Sequence, residues 1–181
     1  MASGGRKERR EAKLRDIMQD AQGNVIYTGE LWRISEDDEA GGPGRRTMLI
    51  AGLALLTVIV IGSGFIDAKN ATGAFYVVLP FIGEVSALFG LAWNAVKILS
   101  GKNGARTYDL QHASERIPAA CTILMIFALT GLALSVLYLA LNGAGGDMAD
   151  GIAYLMLKLA SAAIAGWYRR LFKTTAWEKV S

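Results

Sequence analysis

Residues 118–141 read PAACTILMIFALTGLALSVLYLAL, an apolar run of 24 residues without one charged side chain. A helix rises about 1.5 Å per residue, so a helix of this length exceeds the hydrocarbon thickness of a bilayer, which is about 30 Å. Core helices of soluble proteins have no need of so long an uncharged stretch. The run predicts a transmembrane helix, and it places the chain among integral membrane proteins.

Three further apolar runs accompany this one, and hydrophobic residues make up 52% of the chain. The predicted spans cover residues 48–66, 75–99, 118–141 and 152–172. Lys158 interrupts the last of them, and Pro118 is expected in the first turn of the third, where its missing N–H does no harm. A short loop joins the first two spans, which makes them antiparallel neighbours. We therefore predict an all-α integral membrane protein with four transmembrane helices in an antiparallel bundle.

Positive charges predict the orientation of this bundle. Nine Lys and Arg residues precede the first span, three lie in the loop 100–117 and four follow Gly166, whereas the opposite side has only Lys69. Because insertion retains Lys and Arg on the cytoplasmic side, both termini are expected in the cytoplasm, and the compact loops favour a bacterial inner (plasma) membrane. The chain then divides into a cytoplasmic segment 1–46, a transmembrane domain 47–172 and a cytoplasmic tail 173–181.

The amino-terminal segment contains three kinds of sequence. Residues 6–19 are basic, with apolar residues at helical spacing, and predict a short helix. Residues 24–35 are rich in β-branched and aromatic side chains, which indicates an extended piece or a β-hairpin. Residues 36–44 form an acidic, glycine-rich linker. Within the second part, Tyr27, Leu31 and Trp32 are too few to form a core of their own, so we expect them to dock on a membrane, on the helices or on a partner protein.

Two ionisable residues lie deep in the spans, Glu84 in the second and Lys158 in the fourth. A charge near the bilayer centre costs about 2.5–3.5 kcal/mol on insertion scales, so each charge requires a partner. Counted from the external ends, Glu84 is about nine residues deep and Lys158 about seven, which at about 1.5 Å per residue gives similar depths. We expect the two side chains to face each other.

Small and polar residues share helix faces with these two charges and would let helices approach closely. The predicted faces comprise Pro80, Gly83, Ala87, Gly90 and Asn94 with Glu84, and Tyr154, Ser161 and Ala162 with Lys158. Three interpretations of the pair stay open. It can be a structural ion pair that fixes helix register, one of its charges can bind a partner protein, or the two can form a substrate, ion or proton site. Pro80 favours the last, because proline breaks a helix bond, as in the discontinuous helices of transporters.

No motif in the sequence specifies a reaction. Phosphate-binding loops of the Walker type, HExxH and GxSxG are absent, and a single histidine and a single cysteine are poor material for a metal site. We expect no catalytic, cofactor or metal site, and no nucleic acid partner, because the basic residues flank the spans. The leading hypothesis is a non-catalytic accessory or scaffold subunit that binds the lipid bilayer and another protein or a second copy. The alternative is a small oligomeric transporter or channel that uses Glu84 and Lys158.

Overall fold

Four helices form the main body of the part of the chain that the structure describes. The computed structural model describes residues 17–19, 25–27, 29–35, 44–66, 75–101, 104–142 and 148–180. The helices are α1 (Arg45–Ser63), α2 (Phe75–Leu99), α3 (Thr107–Asn142) and α4 (Met148–Thr174). All four are long and apolar enough to cross a bilayer, so the described residues contain the four apolar helices that the sequence predicted. Contacts of α3 with α2 and α4, and of α1 with α4, join them into one bundle.

In the described part of the chain, five short strands accompany the helices and form two separate sheets. Strands β1 (Ile17–Gln19) and β2 (Val25–Tyr27) pair antiparallel with each other. Strand β3 (Leu31–Ile34) lies between β4 (Ala105–Arg106) and β5 (Trp177–Val180), antiparallel to both. We call this three-stranded unit the end sheet. It brings the amino-terminal segment, the α2–α3 connection and the carboxy-terminal tail to the same end of the bundle, so successive helices alternate in direction.

The prediction for the amino-terminal segment is partly wrong. Residues 17–19 belong to a strand and not to the predicted basic helix, while residues 6–16 lie outside the described part of the chain. A short isolated helix is marginal in water, and pairing with residues 25–27 gives the backbone of this stretch an alternative set of hydrogen bonds. The extended structure predicted for residues 24–35 is confirmed at Val25–Tyr27 and Leu31–Ile34, although β2 and β3 pair with different partners. Of the acidic linker predicted at residues 36–44, only Gly44 lies within the described part of the chain.

Helix α3 begins earlier than predicted. It starts at Thr107, so most of the expected loop 100–117 is helical and Pro118 lies inside the helix instead of in its first turn. Ile117 and Cys121, on either side of the proline, are buried, and this packing holds the helix together where the proline N–H is missing. With 36 residues α3 is about 54 Å long, so its polar beginning extends past the apolar stretch.

The end sheet is fastened to the helices by hydrogen bonds. Trp32 Nε1 donates to Thr107 Oγ1 at 3.0 Å, and the same hydroxyl donates to the Glu30 carbonyl oxygen at 3.0 Å. Trp177 of β5 packs against Phe172 of α4 with ring centroids 6.3 Å apart. Leu31 and Trp32 were expected to dock on a membrane, on the helices or on a partner protein. The structure shows both in contact with their own chain, Leu31 through pairing in the end sheet and Trp32 through its bond to α3. The side chain of Tyr27 lies outside the described part.

The sides of the bundle are largely apolar, whereas the two charged residues in the middle of its helices are buried. Large hydrophobic residues are exposed on every helix, among them Val58, Phe89, Ile126 and Met156, while Glu84 and Lys158 are enclosed. Soluble proteins rarely expose apolar surface on this scale. The distribution is the one expected of a bundle surrounded by hydrocarbon.

Candidate functional site

Glu84 and Lys158 form an ion pair at the centre of the bundle. Lys158 Nζ of α4 donates to Glu84 Oε1 of α2 at 2.7 Å, and both side chains are 0% exposed. The sequence predicted that these two residues face each other, and the structure brings them into direct contact. We refer to them as the charged pair.

Three helices surround the ammonium group of Lys158. Besides Glu84, Nζ donates to Ser63 Oγ at 3.3 Å, and Ser63 is the last residue of α1. The rings of Phe81 and Tyr154 lie with their centroids 5.1 Å and 5.0 Å from the same nitrogen. Such contacts with ring faces stabilise a desolvated cation by about 2 kcal/mol or more. The positive charge is therefore neutralised and enclosed by residues of this chain.

The carboxylate of Glu84 is less completely satisfied. Oε1 accepts from Lys158, but Oε2 is buried and has no hydrogen-bond partner among the described residues. A buried polar atom without a partner costs about 1–3 kcal/mol. Chemically, this oxygen is a place where a proton, a water molecule or a small cation can bind.

Helix α3 closes the fourth side of the charged pair through its backbone. Gly131 lies so near that a methyl group in its place would be 3.7 Å from Glu84 Oε1 and 3.9 Å from Lys158 Cε. One helical turn further along α3, Ser135 is buried, and its hydroxyl donates a hydrogen bond to the Gly131 carbonyl oxygen at 2.7 Å. A small residue at position 131 is what allows α3 to cover the pair.

The face predicted for α4 agrees with the structure. Tyr154, Ser161 and Ala162 are buried on the same side as Lys158. Ser161 Oγ is buried without a hydrogen-bond partner in the described part of the chain, one turn from Lys158. This face of α4 therefore combines the buried cation with small and polar neighbours.

The face predicted for α2 is rotated relative to the structure. Pro80 is buried with Glu84, but Gly83, Ala87, Gly90 and Asn94 are only half-buried. The buried line continues instead through Leu88, Leu91 and Ala95. These three residues belong to the hydrophobic core, and the half-buried Asn94 donates a hydrogen bond to the Gly90 carbonyl oxygen at 2.7 Å.

Sequence reasoning missed three residues of this site, Ser63, Phe81 and Gly131. Phe81 lies three residues before Glu84, so helical spacing alone indicates that it shares the face of the charge. Ser63 and Gly131 carry no such signal, because serine and glycine occur at the ends and in the middle of many apolar runs.

Compared with known proteins, the chain matches no family model, no curated sequence and no solved structure.

Proposed function

We propose that this protein is a non-catalytic accessory or scaffold subunit of a complex in a bacterial inner membrane. The observation that carries the proposal is the enclosure of the charged pair, whose two side chains are 0% exposed and 2.7 Å apart. A charge that is neutralised within its own chain needs neither a substrate nor a partner in the bilayer. The parts left to contact other molecules are the apolar sides and the polar end.

The orientation in this proposal follows from the end sheet. The sheet unites the three parts of the chain that hold most of the Lys and Arg residues, namely the amino-terminal segment, the α2–α3 connection and the tail. Since positive residues stay on the cytoplasmic side of a membrane, this end is the cytoplasmic one. Both termini then lie in the cytoplasm, and the four helices cross the bilayer.

An exposed edge of the end sheet supports binding of a partner protein. Strand β5 forms that edge, and its residues Glu178, Lys179 and Val180 are exposed. Lys179 forms an ion pair with Glu30, which steadies the strand without covering its outer edge. An edge strand presents unpaired backbone groups to which another extended chain can add. Since Leu31 and Trp32 contact their own chain, β5 replaces them as the proposed docking element.

This proposal predicts a specific cross-link from β5. A photo-reactive amino acid in place of Val180 is expected to give one discrete adduct with a different protein in intact cells. The same amino acid in place of Lys173, which is exposed at the same end on α4, serves as the matched control and is expected to give no such adduct. Adducts of equal strength from both positions, or a protein that purifies from mild detergent as a lone monomer, would contradict the assignment.

A transporter is the second candidate, and one observation favours it. Glu84 Oε2 is buried without a hydrogen-bond partner in the described residues, and Pro80 lies one turn before it inside α2. In this reading the carboxylate carries a proton or cation through the membrane. Proline in a membrane helix also occurs for packing alone, so the accessory role stays the preferred one.

The two candidates predict different behaviour in proteoliposomes loaded with a pH-sensitive dye. If Glu84 carries protons, the wild-type chain dissipates a pH gradient and Glu84→Gln does not, while Glu115→Gln, at an exposed position of α3, behaves as wild type. If the protein is an accessory subunit, the wild-type chain leaves the gradient as stable as empty liposomes do. Purified protein of each variant is first checked for an unchanged helical circular dichroism spectrum.

A further inference from the structure

A cavity of about 590 Å³ lies where the end sheet meets the beginning of α1 and the end of α2. Strand β3 contributes Arg33 to its lining, the first turn of α1 contributes Arg45 and Arg46, and Leu99 and Trp177 contribute apolar surface. We call it the arginine cavity. It is separate from the charged pair, and neither interpretation of that pair makes use of it.

Three arginines stand out in the described lining of the arginine cavity. Arg33, Arg45 and Arg46 contribute three guanidinium groups, and the lining residues that the structure describes include no carboxylate. The nearest acid on β5, Glu178, is paired in register with Arg33 and accepts a hydrogen bond from Ser35 Oγ. Among the residues that the structure describes, the cavity therefore brings three guanidinium groups together beside one carboxylate.

One arginine is held in place by the helices. Arg46 Nη2 donates to the Leu99 carbonyl oxygen at 2.7 Å, which ties the beginning of α1 to the end of α2. A guanidinium group has five N–H donors in a fixed fork, so this bond leaves further donors for a ligand. The position of the group is set before any ligand arrives.

The backbone adds to the positive character of the cavity. Gly44 precedes α1 and has no side chain to cap it, and the first turn of the helix contains no acidic residue. The first N–H groups of a helix have no partner within the helix and form the positive end of its dipole. Gly44, Arg45, Arg46 and Thr47 all line the cavity, so this helix end faces the same space as the arginines.

We propose that the arginine cavity binds the phosphate group of an anionic molecule. Guanidinium groups match phosphate oxygens in a bidentate manner, and the uncapped helix end is suited to the same charge. The apolar surface of Ile98, Leu99 and Trp177 accommodates an organic remainder. Because the apolar part of α1 begins at Met48, the cavity lies at the level of lipid headgroups once the helices cross a bilayer.

Two sources supply this chemistry, the headgroup of an anionic phospholipid and a soluble phosphate. If the ligand is a lipid headgroup, the inference requires that the helices span a membrane; if it is a soluble phosphate, it does not. In both cases the inference is independent of the accessory role. Its failure therefore leaves the proposed function standing, and a missing cross-link from β5 leaves this inference standing. The same cavity would serve a subunit or a transporter.

The test measures binding of phosphatidylglycerol by the full chain, purified in a neutral detergent, using native mass spectrometry. Phosphatidylcholine, which carries a phosphate but no net charge, is the reference lipid. The wild type is expected to retain phosphatidylglycerol in preference, and Arg33→Gln and Arg45→Gln are each expected to weaken that binding about fivefold, as loss of about 1 kcal/mol per charge implies. Arg170→Gln is the matched control, since Arg170 is exposed at the same end on α4 and does not line the cavity.

Competition identifies the source. Displacement of phosphatidylglycerol by millimolar inorganic phosphate assigns the site to a soluble phosphate, and resistance to it assigns the site to the lipid headgroup; both support a phosphate site. Equal retention of the two lipids, or equal weakening by Arg170→Gln and Arg45→Gln, would overturn the proposal. Neutralising the linker acids at positions 36–39 is expected to leave binding at least as strong, and a loss of binding in that variant would also overturn it.

Discussion

Replacement of Lys158 by methionine is expected to lower the free energy of unfolding of the bundle by about 3–5 kcal/mol, the loss typical when a buried ion pair is broken on one side. Methionine keeps most of the volume of the lysine stem, so the change removes the charge more than the packing. Glu84, 0% exposed, would be left without its cation, and Ser63 would lose the donor at 3.3 Å. Unfolding of the purified protein in mixed micelles, followed by circular dichroism, measures the loss.

A double-mutant cycle shows whether that loss belongs to the contact. Glu84→Met is expected to be as damaging as Lys158→Met, because it strands the opposite charge. The double variant Glu84→Met/Lys158→Met contains no buried charge and is expected to unfold within about 1 kcal/mol of the wild type, since an apolar replacement of a buried pair is often neutral. A double variant that loses the sum of the two single losses would show that the contact contributes no coupling energy.

The cycle also bears on what the charged pair is for. A pair that serves structure alone can be replaced by two apolar residues without loss of the protein's association with its partner. A pair that carries a proton or an ion cannot be replaced, however well the double variant folds. Stability, cross-linking and dissipation of the pH gradient, measured on the same four proteins, therefore separate the structural interpretation from the transport interpretation.

The number of helices could be predicted from the sequence because a single physical requirement decides it. A predominantly apolar helix must be long enough to cross about 30 Å of hydrocarbon, and four helices in the described part of the chain meet that requirement. The contact of Glu84 with Lys158 was predictable on similar grounds, since opposite charges at one depth in a low-dielectric medium attract each other strongly. Both predictions depend on composition and depth, which are local properties.

Other features depend on contacts that local sequence does not reveal. The start of α3 at Thr107 lies in a polar stretch with no apolar run. Pro118 resembles a first-turn proline in the sequence, but the helix continues on both sides of it because the neighbouring residues are packed in the core. The buried line of α2 runs through Leu88 and Leu91, and a leucine suits lipid and protein core equally well. Periodicity therefore could not tell the core side of α2 from its lipid side.

The end sheet could not be predicted either, because it joins segments that are far apart in the sequence. Positive charges predicted that the amino-terminal segment, the α2–α3 connection and the tail lie on one side of the membrane. They could not predict that Leu31 pairs with both Arg106 and Val180, because register depends on three short segments separated by helices. The arginine cavity, which lies beside this sheet, could not be predicted from the sequence for the same reason.

Substitution of Gly83 by alanine is the second change expected to destabilise the bundle strongly, by about 1–3 kcal/mol, as overpacking of a filled core does. A methyl group at this position would lie 2.6 Å from the ring of Phe127 on α3, well inside van der Waals contact. The nearest ring atoms include Cγ, at 2.7 Å, so a turn of the ring does not relieve the clash. The helices α2 and α3 would have to separate beside Glu84.

Gly90→Ala is the matched control on the same helix. A methyl group there meets nothing within 4 Å, so this variant retains the full gain in helix propensity, about 1 kcal/mol relative to glycine. Both substitutions receive that gain, and the difference between them therefore measures the steric conflict with Phe127 alone. Truncation of the ring in Gly83→Ala/Phe127→Leu is expected to restore most of the lost stability. If Gly83→Ala and Gly90→Ala unfold alike, α2 and α3 are not packed as closely at this point as the structure has them, and the enclosure of the charged pair by α3 would lose its support.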